Sequence, residues 1–188
     1  MHRSPIRSLA VTLLLGCATT HIANTDVPDT AENRDIVAFC ERYRHAVEAR
    51  DARTLLAMAS PRYFEDAGTP DGADDYGVEG LSRLLTLWAD EVNEVRYEIR
   101  YRRITIPQDN PDRIQVDYTY TGSYTIHRPA GPPPEPSSRS RRATLHLNID
   151  PVRDASAPQG DEVWYRRVAD NRLEIERDGD TLRIVSGM

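Results

Sequence analysis

Five tyrosines stand at even spacings in two stretches of this 188-residue chain. Tyr97 and Tyr101 lie in "EVRYEIRY", and Tyr118, Tyr120 and Tyr124 in "RIQVDYTYTGSYTI". A phenol on a strand face either packs its ring with a bonded hydroxyl tip or orients a polar group of a ligand. The other candidates are Asp66, Asp74, Asp75 and Tyr76 in "RYFEDAGTPDGADDYG". A carboxylate beside a phenol can move a proton, yet Asp and Gly in such a stretch also satisfy an ordinary turn. "DGADD" lacks the spaced ligands and closing glutamate of a calcium loop. His2, His21, His45, His127 and His146, with Cys17 and Cys40, show no metal spacing. There is no glycine-rich phosphate loop and no nucleophile elbow. No metal and no cofactor is expected.

The elements that position these residues follow from hydrophobic period. A first helix begins near Thr30, with Asp29 or Thr30 as cap and Glu32 completing a capping box with Asp29. Ile36, Cys40, Tyr43 and Val47 share one face, flanked by Phe39 and Ala46. Asp51 caps a short second helix carrying Leu55, Leu56 and Met58. A strand-like piece spans Arg62 to Asp66. A third helix runs from Val78 to Val92, burying Leu81, Leu84, Leu85, Trp88 and Val92. The period then becomes two. Val95, Tyr97, Ile99 and Tyr101 share one face, and Ile104 and Ile106 resume out of phase, which predicts a bulge near Arg102 and Arg103. The next strand turns Ile114, Val116, Tyr118, Tyr120, Tyr124 and Ile126 inward. A proline-rich connection follows, and "RRATLHLNID" reads as a strand with Ala143, Leu145, Leu147 and Ile149 inward. "VRDASAPQGDE" reads as a loop. "NRLEIERDGDTLRIVSGM" reads as a hairpin turning at Asp178-Gly179.

At the N-terminus, Arg3 and Arg7 precede the short apolar run Leu9–Leu15, far below the ~20 residues that span a bilayer. That is the layout of a secretory signal. The run ends in "LLGC", which resembles the lipobox of bacterial lipoproteins, with Leu14 three places before Cys17. The resemblance implies a diacylglyceryl group on the Cys17 thiol, cleavage after Gly16, and attachment to a membrane through that lipid. The alternative is an ordinary secretory signal that contains a cysteine. Ala18 stands where an aspartate favours inner-membrane retention, so the resemblance points to the outer membrane, facing the periplasm. Residues 17–29 then read as a lipidated cysteine with a flexible tether, and 30–188 as one domain. Cys40 reads as a buried small hydrophobe.

Charge narrows the partners. The chain has 24 basic and 30 acidic residues, and every basic one is arginine. Loss of Arg3 and Arg7 with the signal makes it more acidic still, which excludes a general attraction for nucleic acid.

Three helices, a short strand between the second and third, then long antiparallel strands resemble the order of the NTF2-like superfamily, which includes SnoaL-like and ketosteroid-isomerase-like domains. The resemblance covers about Asp29 to Met188. It rests on that order, on "EARDARTLLAMASPRYFED" and on the closing "NRLEIERDGDTLRIVSGM". It implies an α+β cone, three N-terminal helices packed on a curved antiparallel sheet, with an internal pocket and often a homodimer through the sheet. On the registers above, Tyr97, Tyr101, Tyr118 and Tyr120, with Trp88, would line that pocket. Enzymes of the superfamily set an acid–base group beside a tyrosine that stabilises an enolate. Here Asp66 or Asp75 with Tyr97 would be the set. The inward strand registers hold no titratable base, so the first reading is a non-catalytic binding or accessory protein of the cell envelope. It would take a small apolar ligand or a protein partner.

The anchor is directly testable. Cys17→Ser should abolish incorporation of labelled fatty acid, because lipid on Cys17 is the sole attachment expected; label persisting on the variant would refute it.

Overall fold

A computed structural model describes residues 20–66, 72, 74–127 and 162–188, with residues 127 and 162–164 as backbone only. Cys17, the lipobox and the strand expected at 141–150 lie outside the described residues.

Three helices form where the period predicted them. Helix α1 spans Ala31–Glu48 and is capped by Thr30, whose side chain accepts from the Asn33 N–H at 3.1 Å. The expected Asp29–Glu32 box does not form, since Asp29 binds Arg34 and Glu32 binds Arg177. The predicted stripe is buried: Ile36, Phe39, Cys40, Tyr43, Ala46 and Val47. Helix α2, Ala52–Met58, is capped by Asp51 through the Thr54 N–H. Helix α3, Val78–Glu91, buries Leu81 and Leu85 and half-buries Leu84 and Trp88. Between α2 and α3 lies a small antiparallel pair, β1 (Phe64–Glu65) and β2 (Tyr76–Gly77).

The main sheet holds β3 (Val92–Thr105), β4 (Arg113–His127), β5 (Glu162–Asp178) and β6 (Thr181–Ser186), antiparallel in that order. Its concave registers pack on the helices. Ile114, Val116, Tyr118, Leu173, Ile175 and Ile184 are at most 1% exposed. The predicted bulge falls between Tyr101 and Arg103. A second one, between Asn93 and Arg96, went unread; Glu94 sits there with φ 48°, and a bulge bends the strand where it is placed. The closing hairpin turns where expected, at Gly179 with φ 60°. Strand β5, however, starts at Glu162 and pairs with β4 along its whole length, from Arg113↔Glu176 to His127↔Glu162. The alternation from Tyr165 to Ile175 is the signal that a hairpin limited to Asn171–Met188 leaves out.

Both sheet edges are covered, which blocks pairing with another chain. At β6, the Ser60 N–H donates to the Ile184 carbonyl at 2.7 Å, and Ser60 Oγ donates to the buried Glu176 at 2.5 Å. At β3 the cover comes from α1 and from the stretch read as a flexible tether. The Asp26 N–H donates to the Tyr101 carbonyl at 2.9 Å, and Ile22 and Val27 close a turn at 2.9 Å. Val27 is 0% exposed and joins the core. Residues 20–29 are therefore docked, because an apolar anchor and an unpaired edge give this polar segment partners. Arg100 and Arg102 hold the Asp26 carboxyl below the usual carboxylate range.

Val27→Ala should lower stability by about 2 kcal/mol, the loss of two buried methyl groups plus a small void. A chemical-denaturation midpoint unchanged from the parent chain would show that residues 20–29 do not dock.

Candidate functional site

The concave face is tyrosine-rich, as the strand registers predicted, and it divides into a closed inner part and an outer end. In the inner part, Tyr97 from β3 meets Tyr43 from α1 edge-on at 6.4 Å and Tyr120 from β4 at 5.3 Å. Tyr118 lies 6.3 Å from Tyr120. The Tyr43 side chain reaches those of Tyr97 and Tyr118, which offset part of the effect of burial on its phenol. Asn171 of β5 donates from Nδ2 to Tyr118 Oη at 2.9 Å and to the Gly187 carbonyl at 3.1 Å. Burial pushes Tyr43, Tyr97 and Tyr118 well above the ordinary phenol value, so all three are neutral at physiological pH. Tyr97 and Tyr118 are 2% and 1% exposed. These expected pocket residues are core, with their phenols gathered around Tyr43. Tyr101 departs from the set: its hydroxyl donates to Glu41 at 2.8 Å on the flank of α1.

The outer end lies where α3 runs into β3. Tyr124 of β4 and Tyr165 of β5 stack at 5.3 Å, 15° from parallel. With Val92 they form a small cluster apart from the main core, and Trp88, Val95 and Ile126 pack against it. Trp88 also packs on the main core. Of the five residues expected to line a pocket, Trp88 and Tyr120 adjoin this end. Tyr165 was missed because the stretch before Asn171 was not read as strand.

The expected acids are not gathered with Tyr97. Asp66 is exposed. Asp75 is half-buried and folds back on the turn at Gly72, its N–H donating to the Gly72 carbonyl at 3.4 Å and its Oδ2 close over the glycine, whose φ is 53°. That is turn chemistry, and Tyr97 packs instead against tyrosines. The buried acid is the neighbour, Glu65, 7% exposed. It accepts from Tyr63 Oη at 3.2 Å and from the Gly187 N–H at 2.8 Å. Tyr63 stacks on Tyr76 at 6.3 Å. Burial first, and then Glu65, push the Tyr76 phenol up to about 12. The alternation of "RYFED", Tyr63 and Glu65 on one face, was the available signal.

Cys40 is fully buried on α1, and burial pushes its thiol up to about 12. On the opposite face of the sheet, Asp117 accepts from Arg172 at 2.6 Å and from Arg103 at 2.9 Å, a self-satisfied ion ladder. Among the described residues, no three His, Cys, Asp or Glu side chains gather to hold a metal ion.

No protein-family model and no curated protein matches this chain. Solved structures do. A conserved protein of Planctomyces limnophilus superposes with TM-score 0.54 at 9% identity, over 84% of this chain and 98% of its own. A Kribbella flavida protein gives 0.54 at 14% identity, over 84% and 90%. A ketosteroid isomerase-like protein from Erwinia carotovora atroseptica gives 0.51 at 13% identity, over 84% and 93%. At such identities the likeness is one of fold. The chain has the α+β, NTF2-like cone, three helices on a curved antiparallel sheet, a fold that hosts many unrelated functions.

The hydroxyl cluster predicts alkaline behaviour. An unfolded tyrosine ionises near pH 10, whereas the buried ones resist, so the folded state alone keeps those protons above that pH. Stability should be intact below about pH 10 and fall as pH rises beyond it. Of the nine tyrosines, Tyr43, Tyr97 and Tyr118 should give tyrosinate absorbance only together with loss of the circular dichroism signal. All nine titrating near pH 10 in a folded protein would contradict the cluster.

Proposed function

We propose that this is a lipid-anchored, non-catalytic binding or accessory protein of the cell envelope, held through Cys17 in the outer membrane facing the periplasm. It takes a small apolar ligand at the outer end of its concave face. The observation that carries this reading is the division of that face. The inner tyrosines gather around Tyr43 in the main core, while Tyr124 and Tyr165 stack in a second cluster that Trp88 joins to that core. Neutral, buried phenols lack the titratable partner that proton transfer needs, whereas an aromatic wall with a few polar groups suits ligand binding. Of the set read from sequence, Trp88 and Tyr120 are kept in this proposal, and Tyr97, Tyr101 and Tyr118 give way to Tyr124 and Tyr165. A homodimer through the sheet remains part of the proposal, with the outer ion ladder as its polar surface.

One observation favours a second reading, an isomerase-like or SnoaL-like enzyme. Glu65 is a buried carboxylate bonded to a tyrosine, the acid–phenol pair that sequence reasoning sought at Asp66 or Asp75. Against it, the Gly187 N–H also occupies that carboxylate, which makes it a tie between β1 and the chain after β6.

The neutral dye N-phenyl-1-naphthylamine separates the two. It should bind the purified Cys17→Ser chain with enhanced fluorescence, and Tyr124→Ala should weaken it several-fold through loss of stacking area. No binding would overturn the ligand site. An isomerisation or dehydration activity lost in Glu65→Gln, at unchanged melting temperature, would replace the binding reading by the enzymatic one.

A further inference from the structure

Arg167 is a cation on a register that otherwise holds apolar or hydrogen-bonding side chains. On β5 the concave positions are Tyr165, Arg167, Ala169, Asn171, Leu173 and Ile175, while Arg166, Val168 and Asp170 between them are exposed. Arg167 is half-buried, and its Nη1 is fully buried with no hydrogen-bond partner among the described residues. None of the ion pairs among the described residues includes it, although most other arginines on this sheet have a carboxylate: Arg100, Arg102, Arg103, Arg113, Arg172, Arg177 and Arg183.

A second polar atom next to it is in the same condition. Tyr120 is 2% exposed, and its Oη is buried without a hydrogen-bond partner. The guanidinium acts on the Tyr120 and Tyr124 phenols by charge and reaches toward the Tyr120 hydroxyl, yet neither Arg167 Nη1 nor Tyr120 Oη has a partner within hydrogen-bond geometry among the described residues. Residues directly opposite on antiparallel strands face each other on one side of the sheet. Opposite Arg167 stands Gly122, which offers no side chain. The guanidinium thus enters between the main core and the Tyr124–Tyr165 cluster. Burying a charge or a hydroxyl with nothing to bond is costly. Two such donors side by side make a place that an anion would complete.

We propose that Arg167 and Tyr120 hold the anionic head of an amphipathic ligand, a carboxylate or sulfonate on an apolar or aromatic body that lies along Trp88, Tyr124 and Tyr165. This rests on the concave-end binding reading and adds the charge class of the ligand. Arginine suits the task because its planar fork can give two parallel bonds to such a head. Tyr120 suits it because burial keeps the phenol protonated as a donor.

The test pairs two dyes of one ring system on the purified Cys17→Ser chain: 8-anilinonaphthalene-1-sulfonate, which is anionic, and neutral N-phenyl-1-naphthylamine. Arg167→Gln should weaken the sulfonate dye roughly tenfold or more, the scale of a lost charge-assisted bond, and leave the neutral dye within about twofold. Tyr120→Phe should weaken the sulfonate dye by a smaller factor, and more than it weakens the neutral one. If Arg167→Gln does not fold, Arg167→Lys, which keeps the charge and loses the fork, should give the same ordering together with Tyr120→Phe. Equal weakening of both dyes, or neutral dye bound and sulfonate dye rejected by the parent chain, overturns the anion site alone. Binding of neither dye by the parent chain overturns the concave-end site itself.

Discussion

One peptide unit on an edge strand organises this molecule. Strand β3 has a neighbour on one side only, and Tyr97 turns its N–H and C=O away from β4. Glu48 accepts from the Tyr97 N–H at 3.1 Å, and Arg44 donates to its carbonyl at 3.4 Å while bridging Glu41 and Glu48. An ion pair one helical turn apart satisfies both groups of an otherwise unpaired edge. It sets helix α1 along β3. Arg44 is only partly exposed, so its bonds are screened less than those of a surface pair.

That attachment decides what the interior can be. With α1 lying along β3, Tyr43 falls edge-on to Tyr97 and reaches Tyr118, and Asn171 completes the group from β5. Four elements thereby contribute to one cluster of phenols closed by the Asn171 amide. A satisfied buried network of this sort is rigid and specific, and a half-satisfied one is costly. The contrast gives Tyr120 and Arg167 their meaning: the same sheet that bonds one set of donors leaves two adjacent donors unbonded a few residues away. The aromatic wall of Tyr124, Tyr165 and Trp88 begins there.

The opposite end of the molecule follows a different logic. Ser60, Arg62 and Glu176 join the turn after α2 to β5, with both Glu176 oxygens occupied at 2.5 Å. Glu65 ties β1 to the chain after β6 in the same way, through the Gly187 N–H. Gly187 has φ 89°, and a side chain there would meet the Arg172 carbonyl at 1.9 Å, so glycine is required at that crossing. Buried carboxylates at this end hold backbone and hydroxyl donors, and that is the chemistry their surroundings support.

Much of this was legible in the chain. The period of 3.6 named the buried faces of α1 and α3, and the period of two named the concave residues of β3 and β4, including the phase slip at Arg102 and Arg103. Local patterns suffice there because alternation and helical stripes record which side meets the core. The α+β cone was legible from element order. The reading of an N-terminal signal and of a lipid on Cys17 rests on sequence alone, since those residues lie outside the described ones. What only the tertiary structure decided were matters of contact between distant segments. A polar stretch such as residues 20–29 has no period, and only the exposed edge of β3 explains why it docks. Tyr97 and Tyr118 look alike as pocket or as core until a helix brings Tyr43 to their hydroxyls. Glu65 and Asp66 are adjacent carboxylates, and strand direction alone buries the first and exposes the second. Arg167 was one arginine among 24 basic residues. Its environment comes from its register opposite Gly122, which leaves it beside Tyr120, a placement set by long-range strand alignment rather than by any local pattern.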